Sequence, residues 1–304
     1  MPASHHNRDS LIATLLAWFQ FSLFGFSVHT LGSQIVPALK PDQQLLVVYA
    51  IFAAGGLARF VGAITLSPLG DRLGSTQLLR RSLNIMAVAT LLIGLLPGAN
   101  RIGAVAAGLF LLGFRLIQGV ALGGEYTASL SHAVDGATPK HRGWSSSLAP
   151  AGGQMGFLLG SLSTALVIQV LGDGSTAAWG WRIPFLAAGL LGLGHSQWFG
   201  RAKTKQSMPA PIKTGSKLLR LRAQWRRVLA IAAVVAFPLV VFNVLFIYYV
   251  NLQTMSGGFL SAKATFLTSL VQVLAVPLLL TGGWLGDRLG DRRLTVAGSL
   301  ILAG

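Results

Sequence analysis

The sequence predicts an all-α polytopic membrane protein, and three observations carry the prediction. Apolar residues make up 53% of the chain and charged residues 11%, with a mean hydropathy of +0.64, a balance that a soluble domain with a solvated surface does not reach. Charge-free runs lie between Asp9 and Lys40, Arg81 and Arg101, Arg142 and Asp173, Arg182 and Arg201, Arg227 and Lys263, and Lys263 and Asp287. Each can supply the roughly 20 helical residues that cross a hydrocarbon core. The basic residues then alternate in side. With a cytoplasmic N-terminus, 18 of the 24 Lys and Arg fall inside (Arg8; Arg72, Arg80 and Arg81; Lys140 and Arg142; nine from Arg201 to Arg227; Arg288, Arg292 and Arg293), while Lys40, Arg101, Arg182 and Lys263 fall outside. This positive-inside bias fixes the orientation. It also accounts for the net charge of +16 without a nucleic-acid partner.

The spans follow in order. Helix one, 11–36, holds a long apolar run with no small-residue cleavage site behind a short core, so it is expected to stay in the membrane. Helix two, 45–68, admits Arg59, and helix three is expected over 79–97. Helix four, 103–130, admits Arg115 and Glu125, the only glutamate of the chain. Helix five, 145–171, carries Gly152, Gly156 and Gly160 at four-residue spacing, which lets two helices approach closely. Helix six, 183–200, starts behind Trp179, Trp181 and Arg182, amphipathic residues suited to the outer boundary. The basic, acid-free stretch 201–227 reads as a cytoplasmic linker between domain 1–200 and domain 228–304. Helix seven, 228–250, holds Asn243, Tyr248 and Tyr249, which face a cavity or serve packing and interface anchoring. Helix eight covers 264–285. A ninth starts after Arg293, and the residues left before Gly304 reach about half the hydrocarbon thickness.

The hexapeptide "LGDRLG" occurs at Leu69 to Gly74 and again, letter for letter, at Leu285 to Gly290. Six spans separate the copies, so both lie on one face, as two parallel six-helix repeats require. Glycines give each turn its backbone freedom, Asp is placed to cap the next helix, and Arg to reach lipid phosphate or a carboxylate. The expected fold is a six-helix N-terminal bundle plus an incomplete second bundle, because two spans and a stub stand where the repeat calls for six.

Several motifs in series resemble one family. "GDRLG" at Gly70 and Gly286 is similar to the loop motif G-x-x-x-D-R-x-G-R-R of the major facilitator superfamily. "RLIQG", from Arg115, resembles the R-x-x-Q-G of its helix four, and "GGEY", from Gly123, is typical of its metabolite:proton symporters, which include proline/betaine and α-ketoglutarate permeases. "DGATPKHRG", from Asp135 to Gly143, resembles their E-x6-R-G loop, and "WGWRIPF", from Trp179 to Phe185, matches the start of helix six. The resemblance runs along the whole chain, against about the first three fifths of such a transporter. Departures fall where coupling and gating are expected. Ala17 and Gln20 replace the carboxylates of an E-W-F-D-F pattern, Ser75 and Thr76 replace a basic pair, and Asp291 stands where a basic residue is usual.

A charge at mid-span costs about 2.5–3.5 kcal/mol on insertion scales, so it faces a cavity or a partner. Gln20, Arg59, Arg115 and Gln118 lie near the middles of three spans and are expected to line a midplane site, where a guanidinium suits a carboxylate. Helix packing is the alternative for both arginines. Glu125 lies about 15 Å along the helix from Arg115, too far for an ion pair, and near a helix C-terminus that disfavours an acid. A cation among Arg72, Arg80, Arg81 and Arg142 is therefore expected beside it, in an inner gate made of Asp71, Arg72, Glu125, Asp135, Arg142, Asp287 and Arg288. The alternative is a glutamate exposed at headgroup level. His29 and His132 are isolated and carry no role.

No catalytic constellation, metal cluster or nucleotide loop is legible. The zero cysteines exclude disulfides and thiolate chemistry. The resemblance implies a multi-pass protein of a bacterial-type inner membrane. It would move a small organic acid or zwitterionic osmolyte by proton symport, with lipid and solute as partners, no enzyme activity and no cofactor beyond the coupling proton. A chain that has lost its second half would instead be a transport-inactive remnant or an assembly partner.

Overall fold

The computed structural model describes residues 2–135, 137–201, 225–226, 261–290 and 298. The linker expected over 201–227, helix seven over 228–250 with Asn243, Tyr248 and Tyr249, and the stub after Arg293 lie outside the described residues or almost wholly so. The chain divides into two compact units, Met1–Met208 with Val273–Gly304, and Pro209–Gln272. The sites described below belong to the first.

The described residues form helices throughout: α1 (Pro2–Phe26), α2 (Val28–Ile35), α3 (Pro41–Leu73), α4 (Ser75–Leu95), α5 (Ala99–Ile102), α6 (Ala104–Asp135), α7 (Arg142–Ser175), α8 (Arg182–Arg201) and α9 (Ser261–Leu289). Five of them contain stretches long and apolar enough to cross a membrane: α1, α3, α4, α6, and α7 with the short turn before it. The fold is therefore all-α and multi-pass.

Helix limits differ from the expected ones for physical reasons. The predicted helix one is two helices, because Ser27 leaves the helical region at φ −107° and ψ 11°. Gly25 and Ser27 are both weak helix formers, and an apolar run gives no sign of such a break. The predicted helices two and four also overrun their apolar cores, α3 and α6 ending on Leu73 and Asp135, since helical hydrogen bonding does not stop where hydrocarbon does.

Helix α6 is central, packing against α1, α3 and α4, while α7 covers α1 and α8 covers α4. Gly119 and Gly123 bring α6 onto the backbone of α3 at Gly55 and Arg59, and Gly152 and Gly156 bring α7 onto α1 at Leu11 and Leu15. A Cβ at any of the four would collide with a backbone carbonyl.

Two apolar clusters fill the interior. One joins Phe24, Leu31, Val48, Ile93 and Leu111; the other joins Ala13, Leu79, Met86 and Leu122. Along α1, α4 and α6, the residues between these clusters are the polar Gln20, Thr90, Arg115 and Gln118, all fully buried. The apolar packing thus leaves one polar layer across three helices.

Candidate functional site

Arg115 and Gln118, three apart on α6, share a face, and that face meets α1 and α4. Arg115 donates from Nη1 to the Phe21 carbonyl at 3.1 Å and to Gln118 Oε1 at 3.1 Å. Gln118 donates from Nε2 to Thr90 Oγ1 at 2.7 Å. The Thr90 hydroxyl has as acceptors Gln20 Oε1 at 3.1 Å and the Met86 carbonyl at 2.8 Å. A chain of neutral groups therefore connects the guanidinium to the helix-one position where the resembling pattern has an acid.

The charge of Arg115 rests on aromatic faces. Its Cζ lies 3.7 Å from the ring centroid of Phe21, 4.5 Å from that of Phe24 and 4.7 Å from that of Phe52, within cation–π reach. Its stem crosses Gly55 of α3, where a Cβ would stand 2.7 Å from Arg115 Cγ. Nε and Nη2 are buried and have no hydrogen-bond partner.

Of the four residues expected at midplane, Gln20, Arg115 and Gln118 come together and Arg59 does not. Arg59 lies one turn of α3 beyond Gly55, bracketed by Trp18 at 4.8 Å and Tyr126 at 5.2 Å. Tyr126 is about three turns along α6 from Arg115. The seven-residue spacing from Phe52 puts Arg59 on the same side of α3 but at another depth.

Glu125 is fully buried and faces α1. Its Oε1 accepts from Thr14 Oγ1 at 2.9 Å, Thr14 Oγ1 is 2.7 Å from Ser129 Oγ, and Ser10 Oγ donates to the Ser129 carbonyl at 2.9 Å. Among the described residues no hydrogen bond joins it to Arg72, Arg80, Arg81 or Arg142, of which Arg80 is half-buried and the others exposed, and the Thr14 hydroxyl bonds the carboxylate instead. The cation whose field reaches it is Arg59. Headgroup exposure is excluded by the same burial.

At the two repeated turns the backbone is the same. Gly74 and Gly290 take φ of 87° and 85°, and each donates its N–H four residues back, to Gly70 and Gly286. The helix expected after the second turn lies outside the described residues, and Asp287 is engaged elsewhere. It reaches α7, accepting from the backbone N–H of Gly143 at 2.7 Å and of Trp144 at 2.8 Å. A carboxylate at a helix N-terminus meets unsatisfied N–H groups and the positive end of the dipole. Arg288 stacks on Trp284 at 4.1 Å, one turn back on its own helix. Asp135 accepts from Ser75 Oγ at 3.1 Å. Asp71 is half-buried at the end of α3. Of these two histidines, His29 is exposed and His132 is buried beside Thr76.

The residues missed from the sequence are the hydroxyls Thr14, Thr90 and Ser129 and the rings Trp18, Phe21, Phe24, Phe52 and Tyr126. The hydroxyls gave no signal. The rings did, since Trp18, Phe21 and Phe24 recur every three residues on one helix.

Residues 9–304 match the profile of a family described as Major Facilitator Superfamily. The chain is similar to the glycine betaine/proline/ectoine/pipecolic acid transporter OusA of Dickeya dadantii, with 34% identity over 185 residues, 60% of this chain and 37% of that protein. It is similar to the ectoine/proline transporter ProP of Corynebacterium glutamicum, with 30% identity over 318 residues, 97% of this chain and 63% of the relative. The shikimate transporter of Escherichia coli is 29% identical over 304 residues, 96% of this chain and 68% of the relative. The chain thus spans between 37% and 68% of the length of these relatives.

Proposed function

This chain belongs to the Major Facilitator Superfamily, and on that premise we propose that it serves secondary active transport of a small carboxylate-bearing or zwitterionic metabolite, by alternating access and with proton coupling. The observation that carries the reading is the buried polar layer, in which Gln20, Arg115 and Gln118 are joined through Thr90. An apolar bundle retains such a layer at a cost, and in membrane proteins that cost marks a solute or ion pathway. The relatives named for proline, betaine and ectoine and the one named for shikimate supply the two solute classes, zwitterion and carboxylate.

In this reading Gln20, Arg115 and Gln118 hold the solute and Arg59 joins them from the adjoining turn. The cytoplasmic gate is formed by the two Gly-Asp-Arg turns, Asp71 with Arg72 and Asp287 with Arg288, together with Asp135 and Arg142. Asp287 would latch α7 when the gate is shut and release it on opening. Glu125, held by Thr14 against α1, is the proton carrier, as a buried carboxylate that helix movement can expose. The N-terminus lies in the cytoplasm, 1–200 forms the first bundle, 201–227 the linker and 228–304 part of the second bundle.

The test is uptake of labelled proline, glycine betaine and shikimate into proteoliposomes, with and without an imposed pH gradient. Arg115→Ala is expected to abolish uptake, and Glu125→Gln to leave uptake that no longer responds to the gradient. Unchanged uptake by Arg115→Ala sinks the solute assignment, and a full gradient response in Glu125→Gln sinks the coupling assignment.

A further inference from the structure

The aromatic faces in this bundle are already occupied by the protein's own cations. Arg59 fills the space between Trp18 and Tyr126, and Arg115 lies against Phe21, Phe24 and Phe52. Trp18 touches Phe21, and Phe21 touches Phe52, with ring centroids 5.9 Å and 5.8 Å apart, so the two guanidinium groups share one aromatic seam. A quaternary ammonium is recognised by such faces. Here each carries a fixed positive charge that repels one.

The same two residues have donor capacity to spare. Arg115 Nε and Nη2 are buried without hydrogen-bond partners, and Arg59 makes no hydrogen bond among the described residues, its contacts being the two rings and the field of Glu125. Away from the helix ends, the interiors of α1, α3 and α6 hold these two cations against the single carboxylate of Glu125, which Thr14 already engages. The imbalance is one positive charge, and an anion offering paired oxygens would meet both the charge and the free N–H groups.

We propose that the solute is a carboxylate anion without a quaternary ammonium, and that Arg59, in its Trp18–Tyr126 bracket, is the residue that turns onium compounds away. This rests on the solute-binding reading above and narrows it. Arg115 is the anchor for the carboxylate, and Arg59 sets the selectivity. The chain would then differ in solute class from its relatives named for betaine.

Isothermal titration of the full chain in detergent micelles with cyclohexanecarboxylate, glycine betaine and choline tests it. The unaltered chain is expected to bind the carboxylate at least about tenfold more tightly than the two onium probes. Arg59→Ala should weaken the carboxylate by about tenfold and strengthen glycine betaine by about tenfold, because it removes a charged donor and opens two ring faces. A residue that merely held helices together would weaken both. Arg59→Gln, also uncharged, reports the same exchange if the alanine variant loses its helical circular dichroism. Equal or tighter binding of glycine betaine to the unaltered chain overturns the proposal while leaving solute binding in place. So does an Arg59 variant whose betaine affinity does not rise. Binding of none of the three probes overturns the solute-binding reading itself, and the proposal with it.

Discussion

Asp287 and Gly143, 144 residues apart, are joined by a hydrogen bond of 2.7 Å from the Gly143 N–H to Asp287 Oδ1. The second carboxylate oxygen takes the next N–H, that of Trp144, so one side chain closes the N-terminal end of α7. The glycine is required by the contact. A Cβ on residue 143 would stand 2.5 Å from the Gly283 carbonyl and 2.9 Å from Asp287 Oδ1.

Asp287→Ala is expected to free the start of α7, at a cost of about 1–2 kcal/mol for a charged cap with two N–H donors. The chain contains no cysteine, so a single Ser147→Cys reports without background. Ser147 is 7% exposed and packs against Gly283. Maleimide labelling of that cysteine should rise several-fold, about fivefold per kcal/mol lost, when Asp287 is removed. Labelling that stays constant refutes the latch.

Gly119→Ala should lower thermal stability in detergent, by the roughly 1–3 kcal/mol of an overpacked contact, because its Cβ would enter the Gly55 carbonyl and the Ala58 side chain. Gly113→Ala on the same helix meets open space and should be neutral or slightly stabilising. Equal melting of the two variants contradicts the close α3–α6 crossing.

Thr90→Val keeps shape and removes both roles of the hydroxyl, leaving the Gln118 amide and the Gln20 carbonyl without it. Each stranded buried group costs about 1–3 kcal/mol. Thr90→Ser should keep most of the stability, and a valine variant as stable as the serine one would show that the relay contributes nothing.

Gln20→Asp places a carboxylate back in the polar layer. Protonated at low pH, it is neutral and anion binding should match that of the unaltered chain. Ionised at higher pH, it cancels one positive charge of the layer, so carboxylate affinity should fall as pH rises, relative to the parent. Titrations at several pH values check the sign, and a rise in affinity with pH would contradict it.

The five long apolar helices α1, α3, α4, α6 and α7 were legible because insertion in a bilayer is dictated by local charge and length, and both are written along the chain. Arg115 with Gln118 was legible for the same reason, as a three-residue spacing on one helix. Thr90 and Thr14 were not. They meet Gln118 and Glu125 across 28 and 111 residues, and a lone threonine in an apolar run carries no sign of what will face it. Helix-dipole reasoning calls for a cationic partner at Glu125. Burial against α1 places it beyond the exposed arginines and beside a hydroxyl. The Ser27 break was hidden because hydropathy reads the same on both sides of it.

Arg115 has one more consequence. Its partners are a carbonyl, an amide and three rings, all uncharged, and the side chain belongs to a helix that does not leave the bilayer. In the transport proposed above, Arg115 would then carry no charge across, and a monovalent anion moving alone would be driven outward by an inside-negative voltage, at about 2.3 kcal/mol per 100 mV. One proton carried on Glu125 would cancel that charge and make entry indifferent to voltage, and a second would turn the sign.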